Sequence, residues 1–373
     1  MKRNPFIISG YAGPEYFCDR VMESKRLADN ILNNRNTVII SPRRMGKSGL
    51  IEHCINQYGI RKTHKVFIID IYPTKNLQDF TTALSEAIIR DLQPSGEKAL
   101  RLFLNVVSSI SVSMASAGMQ DISLGLQKIT DPALSLKQIF DYLGKSKEPC
   151  VVAFDEFQQI AKYPEKNIEA LLRTYIQKQP ANIFIFAGSQ RHMINEMFNH
   201  PDRPFYMSTD GMHLEAIQYE KYAAFVSEKF NNADKGIDGD TIQTIYDTFD
   251  GTTWYLQKIF NELYSDTDKG ETADTSKFRA VLDLLLKSRH YEYEEDIYKL
   301  PVKQRDLLIA IAKEGKASGI TSEDFAVKYG FKSTATLQAA KRALLEKEYI
   351  TEETGTCMVY NKFLGLWLAQ QYC

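Results

Sequence analysis

The sequence predicts an α/β fold built on a parallel β-sheet, followed by a helical region and a small C-terminal module. Two observations lead to this prediction. Short runs rich in Val, Ile and Phe alternate with amphipathic helical segments over the first two-thirds of the chain, which is typical of a sheet covered by helices on both faces. The end of the chain changes to three helices followed by two short strands. A length of 373 residues fits two or three domains.

The predicted strands of the sheet are apolar runs bounded by polar or turn-forming residues. In chain order they are 37–41 (TVIIS), 66–72 (VFIIDIY), 150–154 (CVVAF), 183–188 (IFIFAG) and, with a weaker pattern, 213–217 (HLEAI). Residues 108–129 instead alternate apolar and polar side chains around SAGMQD, which predicts an inserted β-hairpin. The helix after this hairpin is expected to begin with a capping box formed by Ser135 and Gln138.

These elements predict three parts of the chain. Residues 1–217 form the sheet-containing core, and residues 218–295 are mostly helical and form a lid subdomain. Residues 296–373 form a winged helix-turn-helix domain, in which a β-wing surrounds a Glu-Glu-Thr-Gly turn. The helices of this last domain are predicted at 302–314, 321–329 and 333–347.

The composition excludes several classes of protein. A formal net charge of -1 gives no overall attraction to nucleic acid or to a membrane, so any nucleic-acid surface must be local. Five singly scattered cysteines are typical of reduced thiols in a cytoplasmic protein rather than of a disulfide framework. Because the sequence contains no run of 18 apolar residues, we expect a soluble cytoplasmic protein with no membrane contact.

The strongest motif is a candidate phosphate-binding loop between the first predicted strand and an amphipathic helix. Such a loop, G-x-x-x-x-G-K-[ST], needs backbone N–H groups at a helix N-terminus, a lysine for the β- and γ-phosphates and a hydroxyl for Mg²⁺. Lys47 and Ser48 supply the last two groups, but Ser41 replaces the first glycine, so a chance match is the alternative. The predicted nucleotide-binding residues of the loop are Ser41, Pro42, Arg43, Arg44, Met45, Gly46, Lys47, Ser48 and Gly49.

The ends of two further strands support this site. The third strand ends in Asp155-Glu156, and an acidic pair at the tip of a neighbouring parallel strand is where a Walker B motif must lie. We expect Asp155 to hold Mg²⁺ together with Ser48, and Glu156 to polarise the attacking water; two surface carboxylates are the alternative. Ser189 or Gln190, after the fourth strand, stands where additional-strand ATPases place a γ-phosphate sensor, and an ordinary Gly-Ser turn is the alternative.

Over nearly the whole chain, these residues resemble the archaeal-type AAA/STAND-like P-loop ATPases. The resemblance rests on FCDRVMESKRL (17–27), SPRRMGKSGLI (41–51), VVAFDEFQQI (151–160), FAGSQRHMI (186–194) and YNKFLGLWLAQQ (360–371). It implies an additional-strand P-loop NTPase core, a helical lid, a winged helix, binding of ATP with Mg²⁺, and slow hydrolysis in which Glu156, Lys47 and Ser189 take part. It also implies that Phe17 and Arg20 flank the nucleotide base, with an N-terminal helix cap as the alternative.

Several features leave the function open. Gly251-Thr252-Thr253 stands where relatives have a Gly-Gly-x-Pro turn, and Arg191 and Arg203 are candidates for an arginine finger by position alone. The third helix of the winged helix carries cations suited to DNA phosphates, but glutamates crowd its far end and the wing. The sequence therefore predicts an ATP-driven switch or ATPase, with a DNA-binding regulator and a non-hydrolysing nucleotide-binding scaffold as alternatives. The winged helix is expected to contact either DNA or a protein partner.

Overall fold

The computed structural model describes residues 3–92, 97–107, 110–112, 126–129 and 131–372. The chain forms two compact units. The first comprises Met1–Lys229 and Asp250–Asn261, and the second comprises Phe230–Phe249 and Glu262–Cys373. The division into three parts predicted from the sequence stays a prediction.

The first unit is built on a five-stranded parallel sheet. Its strands are β1 (Thr37–Ile40), β2 (Lys65–Asp70), β5 (Cys150–Asp155), β6 (Ile183–Gly188) and β7 (Asp210–His213). They lie in the order β2-β5-β6-β1-β7, and every neighbouring pair is parallel. Since β6 lies between the strand before the phosphate loop and the strand that ends in the acidic pair, the predicted additional-strand fold is confirmed.

The strand predicted at 213–217 is wrong in position. The fifth strand is β7, which ends at His213, and residues 214–218 have no regular secondary structure. β7 is defined by its pairing with β1, in which Thr37 is opposite Asp210 and Ile40 is opposite His213. Because β7 begins with Asp-Gly, residues of low strand propensity, the local pattern does not reveal it.

The predicted hairpin is present at its base. β3 (Ile110–Val112) and β4 (Leu126–Ile129) pair in the antiparallel direction. The predicted SAGMQD turn lies outside the described residues.

Helices cover both faces of the sheet. They are α1 (Val21–Leu32), α2 (Lys47–Gln57), α3 (Leu77–Leu92), α4 (Glu97–Val106), α5 (Pro132–Gly144), α6 (Ile168–Gln177), α7 (Arg191–Asn199) and α8 (Tyr219–Asn231). Alternate strand residues belong to two hydrophobic clusters, one shared with α3 to α7 and the other with α1 and α2. Because both faces of β1, β5 and β6 are buried, these strands appear in sequence as continuous apolar runs.

The capping box predicted for α5 is wrong. The helix begins at Pro132, and the carboxylate of Asp131 accepts a hydrogen bond of 2.9 Å from the backbone N–H of Leu134. Ser135 is already inside the first turn, where its hydroxyl donates to the backbone carbonyl of Asp131 at 2.8 Å. Proline at the first helical position after an aspartate is itself a strong start signal, and it outweighs the Ser135–Gln138 pair.

The second unit is mainly helical and ends in the predicted winged helix. The remaining helices of the chain are α9 (Gly239–Thr248), α10 (Thr253–Asp266), α11 (Thr275–Ser288), α12 (His290–Tyr298), α13 (Val302–Glu314), α14 (Glu323–Lys328), α15 (Thr334–Glu346) and α16 (Lys362–Tyr372). The short strands are β8 (Gly236–Ile237), β9 (Thr272–Ala273), β10 (Ala317–Ser318), β11 (Ile350–Glu353) and β12 (Thr356–Val359). Helices α13 to α15 followed by the antiparallel β11–β12 pair confirm the winged helix.

Among the helices in the described residues, none is both long and apolar enough to cross a membrane.

Gly188, the last residue of β6, leads to a prediction about packing. A Cβ atom added there lies 2.2 Å from Cγ1 of Ile194 and 2.7 Å from Oε1 of Gln158. Gly188→Ala must therefore shift the side chain of Ile194, which packs α7 on the sheet, and we expect it to lower the free energy of unfolding by about 1–3 kcal/mol. Chemical denaturation followed by circular dichroism measures this change.

The matched control is Gly211→Ala in β7, where an added Cβ meets no atom within 4 Å. This substitution should change the free energy of unfolding by less than about 0.5 kcal/mol. Equal destabilisation by the two substitutions would contradict the assigned packing of α7.

Candidate functional site

The phosphate loop leaves the buried end of β1 and enters α2. Gly46, the N-cap of α2, has a φ of 89°, and Arg44 has a φ of 68°. These left-handed residues turn the chain so that α2 begins directly at Lys47. The first N–H groups of a helix have no partner within the helix, so this end of α2 can receive an anion.

Ser41 replaces the first glycine of the motif without a backbone penalty. It is fully buried, its N–H donates to the carbonyl of Gly188 at 3.3 Å, and its hydroxyl donates to the carbonyl of Pro42 at 2.9 Å. In this loop Arg44 is the non-glycine residue with a positive φ, and Ser41 has no positive φ. The serine is therefore part of the core at the end of β1.

Glu156 is held by side chains from three neighbouring elements. It follows β5 directly and has a φ of 56°. Its Oε2 accepts hydrogen bonds from the hydroxyl of Ser189, at 2.5 Å, and from Nε2 of Gln158, at 2.6 Å. Its Oε1 lies 3.7 Å from Nζ of Lys47, whose side chain is 5% exposed. The structure thus places the three predicted catalytic residues together at the carboxyl ends of β5 and β6 and the start of α2.

Asp155 and Ser48 form the second part of the site. The hydroxyl of Ser48 donates to Oδ2 of Asp155, and Oδ1 accepts from the N–H of Glu156 at 3.0 Å. Burial raises the pKa of Asp155, while the hydrogen bond from Ser48 and the charge of Lys47 act in the opposite direction. Burial also lowers the pKa of Lys47. Both charged groups are therefore kept in an environment that disfavours their ionised forms.

The donor set around Asp155 fits Mg²⁺ bound together with a nucleotide. Mg²⁺ prefers oxygen ligands, and in nucleotide sites the protein supplies one or two of them while phosphates and water supply the rest. Asp155 and Ser48 provide a carboxylate and a hydroxyl at one point. The described residues contain no group of three or more His, Cys, Asp or Glu side chains that could hold a metal ion alone.

The two arginines of the loop take different directions. Nε of Arg43 donates to the hydroxyl oxygen of Ser189 at 3.2 Å, so this side chain lies on the Glu156 side of the loop. The guanidinium of Arg44 lies 4.8 Å from the ring centre of Trp254 and 4.9 Å from that of Tyr255, and it donates to the Tyr255 hydroxyl. The backbone N–H of Trp254 donates a hydrogen bond of 3.0 Å to the backbone carbonyl of Arg44. The loop is thereby fastened to the start of α10.

A cavity of about 330 Å³ lies beside the loop. Of the predicted site residues, those in contact with it are Phe17, Arg20, Arg44, Met45, Gly46, Lys47, Ser48, Gly49 and Glu156. The other predicted residues, which do not line it, are Ser41, Pro42, Arg43, Asp155 and Ser189. The cavity thus extends from the phosphate loop toward the predicted base-binding residues.

Phe17 and Arg20 both line the cavity but differ in their contacts. The ring of Phe17 stacks on His53, with 4.1 Å between the ring centres and an interplanar angle of 12°. Arg20 is buried, and its Nη2 donates to the carbonyl of Glu215 at 2.7 Å. It also donates to the carbonyl of Met45 at 3.4 Å. The contact with Met45 links Arg20 to the phosphate loop.

One wall of the cavity is formed by residues that no sequence motif predicts. Residues 7–13 and Trp254 line it, and the indole N–H of Trp254 donates to the carbonyl of Ile8 at 3.0 Å. Gly10 and Gly13 have φ values of 71° and 127°, so glycine is required for the bends of this segment. The Gly-Tyr-Ala-Gly run at residues 10–13 is the sequence signal for this segment.

Two family models match the sequence. A family model described as an ATPase domain predominantly from Archaea matches residues 17–259, and a model described as a probable winged helix domain matches residues 291–370. No curated protein matches the sequence.

Among solved structures, the Walker-type ATPase paby2304 of Pyrococcus abyssi is similar, with a TM-score of 0.67 and 19% identity over 98% of this chain and 99% of that one. The ORC2 protein of Aeropyrum pernix in its ADPNP-ADP complexes gives a TM-score of 0.60 and 12% identity over 99% and 96% of the two chains. The ORC1 protein of the same organism, in complex with DNA, gives 0.51 and 10% over 96% and 95%. At these identities the likeness shows the fold alone.

The burial of Asp155 leads to a prediction for the protein without ligand. Because its folded pKa is raised, Asp155 contributes stability below its unfolded pKa, near 4, and this contribution is lost as the pH rises through the folded pKa. At neutral pH, Asp155→Asn should therefore increase the free energy of unfolding by about 1 kcal/mol. Denaturation at a series of pH values should show the difference growing as the pH rises.

The control is Asp70→Asn. Asp70 is opposite Asp155 in the β2–β5 register, but it is exposed and its Oδ1 accepts from the N–H of Tyr72, a bond that asparagine can keep. This control should leave the free energy of unfolding close to that of the natural sequence. Destabilisation by Asp155→Asn at neutral pH would show that its hydrogen bonds outweigh the cost of its burial.

Proposed function

Because the chain belongs to the family of ATPase domains found predominantly in archaea, we propose that it is a Mg²⁺-dependent ATPase with its active site at the phosphate loop. The observation that carries the proposal is the joint position of Lys47, Ser48, Asp155 and Glu156 at one edge of the sheet. A phosphate loop, a metal-binding carboxylate and a second carboxylate beside the lysine are the parts that hydrolysis of a nucleoside triphosphate requires.

Binding depends on the start of α2 and on the adjoining cavity. The N–H groups of the loop and the helix dipole attract the phosphates, and Lys47 adds a buried positive charge. The base lies in the cavity formed by Phe17, residues 7–13 and Trp254. Asp155 and Ser48 would hold Mg²⁺, which when bound would neutralise phosphate charge and polarise the γ-phosphoryl group.

Hydrolysis depends on Glu156. A water oxygen forms a bond to the γ-phosphorus while the bond from that phosphorus to the β–γ bridging oxygen breaks, leaving ADP and phosphate. Glu156 accepts a hydrogen bond from the attacking water and so orients it. Its Oε2 accepts hydrogen bonds from Ser189 and Gln158, whereas Oε1 lies 3.7 Å from Lys47 and retains acceptor capacity for the water.

Two substitutions separate hydrolysis from binding. Lys47→Ala removes a buried cation and should weaken ATP binding by about 10- to 100-fold, the value of a hydrogen bond to a charged group. Glu156→Gln keeps the shape and most hydrogen bonds of the side chain, so ATP affinity should change little while kcat falls by about 100-fold or more. Isothermal titration with ATP and a phosphate-release assay measure the two quantities.

Lys25→Ala, which changes an exposed lysine of α1, is the control and should affect neither quantity. Tight ATP binding without any turnover by the natural sequence would favour the non-hydrolysing scaffold over the ATPase. Full turnover by Glu156→Gln would contradict the role given to that carboxylate.

The contacts of the winged helix favour a protein partner over DNA as its target. On α15, Nζ of Lys341 lies 2.6 Å from a carboxylate oxygen of Glu352 in the wing, and Nε of Arg342 lies 2.9 Å from one of Glu346. DNA phosphates would have to compete with these carboxylates for the two cations. The negative charge of the carboxylates also repels the duplex. We therefore propose that nucleotide binding regulates a protein interaction of this domain.

A salt titration of duplex DNA binding tests this preference. We expect affinity no tighter than about 1–100 μM at physiological salt, the range of non-specific binding. Substituting both Lys341 and Arg342 by alanine should then leave binding unchanged, as judged by fluorescence anisotropy. Tight, salt-sensitive binding that is lost in this double variant would instead establish a DNA-binding regulator.

A further inference from the structure

We propose that Arg43 is the cation that recognises the γ-phosphate from within the same chain, so that hydrolysis requires no arginine from a second subunit. This inference rests on the proposed function, because it assigns a role inside the nucleotide site. It goes beyond that function in stating how the site distinguishes ATP from ADP.

The first support is a chain of hydrogen bonds that leads from Arg43 to the proposed water-orienting carboxylate. Nε of Arg43 donates to the oxygen of Ser189 at 3.2 Å, and the hydroxyl of Ser189 donates to Glu156 at 2.5 Å. A hydroxyl has one proton, so Ser189 gives it to Glu156 and accepts from the guanidinium. Arg43 is therefore anchored beside Glu156, the group next to which the γ-phosphate must lie for its attack by water.

The second support is the restriction of the Arg43 side chain. Its guanidinium carbon lies 5.2 Å from the ring centre of Tyr72, which follows β2. Stacking on an aromatic ring limits the motion of a guanidinium but leaves its in-plane N–H groups able to bond to phosphate oxygens. Three strand ends thus position the guanidinium of Arg43, because Arg43 follows β1, Ser189 follows β6 and Tyr72 follows β2.

The third support is electrostatic. Nζ of Lys47 lies 3.7 Å from Glu156, and Arg43 reaches the same carboxylate through the hydroxyl of Ser189. Two cations held near each other repel, and an anion that contacts both converts this repulsion into attraction. The γ-phosphate is the part of ATP that ADP lacks, so an interaction with it distinguishes the two nucleotides.

The other candidate arginines are engaged by carboxylates of the same unit. Nη2 of Arg191 lies 3.5 Å from Glu215, and Nη2 of Arg203 lies 2.5 Å from Glu169, which is largely buried. Arg44, although adjacent to Arg43, turns toward Trp254. Each of these contacts holds a guanidinium on a partner other than Glu156, whereas Arg43 contacts Ser189, which is itself bonded to Glu156.

The test compares nucleotide preference and turnover in the full chain. Affinities for ADP and for a non-hydrolysable ATP analogue, each with Mg²⁺, are measured for the natural sequence, Arg43→Ala and Arg43→Lys. Arg43→Ala should lose about 10-fold or more of the preference for the ATP analogue while its ADP affinity changes little, since a charge-assisted contact is lost from the γ-phosphate alone. Its kcat should fall by about 100- to 1,000-fold, the cost of removing one donor to a transition state, and Arg43→Lys should recover part of both losses.

Two further measurements separate a phosphate contact from a structural role. Tyr72→Phe keeps the stacking ring and should preserve kcat, whereas Tyr72→Ala should lower kcat with little change in ADP affinity. Turnover per molecule should be independent of protein concentration, and Arg191→Ala should turn over ATP like the natural sequence.

The results that overturn the inference are distinct from those that overturn the proposed function. If the natural sequence binds neither nucleotide, both fail. If it prefers the ATP analogue and Arg43→Ala retains that preference and its turnover, the inference alone fails. It also fails if Arg43→Ala weakens ADP and the ATP analogue equally. Turnover that rises with protein concentration and is lost in Arg191→Ala would instead assign the cation to a second subunit.

Discussion

The site depends on the alignment of three parallel strands whose carboxyl ends meet at one edge of the sheet. β1 and β6 pair in register from Thr37 opposite Ile185 to Ile40 opposite Gly188, and β6 pairs on its other side with β5. All residues of β1 and β6 are buried, so a shift in either strand would expose apolar side chains. The polar groups that follow these strands are therefore held together by the packing of the core, and not by their own weak attractions.

This arrangement places charged groups where charge is costly. Lys47 and Asp155 are both largely buried, and burial shifts each pKa toward the neutral form. Attraction between the groups offsets part of this cost, because Lys47 lies near Glu156 and Asp155 accepts the hydroxyl of Ser48. A phosphate next to the lysine and a cation next to the aspartate would each favour the ionised form. The same burial that lowers the stability of the protein without ligand therefore strengthens its interaction with a charged ligand.

The elements that can be predicted from the sequence are those in which the local pattern of apolar residues matches the pattern of buried residues. β2, β5 and β6 are continuous apolar runs, and α13 begins and ends at the predicted residues because its apolar stripe is regular. β7 could not be predicted correctly, since its place is set by pairing with a strand far away in sequence. The same holds for Trp254 in the candidate site, which bonds to Arg44 across 210 residues of chain without any local motif. The phosphate loop was predictable because its chemistry requires neighbouring residues, whereas the opposite wall of the cavity requires only residues that are close in space.

The phosphate loop also shows why the missing glycine does not abolish the motif. Glycine is needed where φ is positive, and in this loop the positive values fall on Gly46 and Arg44, whereas Ser41 remains in the buried strand end. An arginine in the left-handed region costs about 1–2 kcal/mol. Its contacts with Trp254 and Tyr255 offset this cost, since a cation over an aromatic ring contributes about 0.5–1 kcal/mol at an exposed site and more when desolvated. The left-handed turn at Arg44 also separates it from Arg43, so that one guanidinium fastens the loop to α10 while the other lies beside Glu156. Strain at Arg44 is thereby linked to the position of the guanidinium of Arg43, the residue before it.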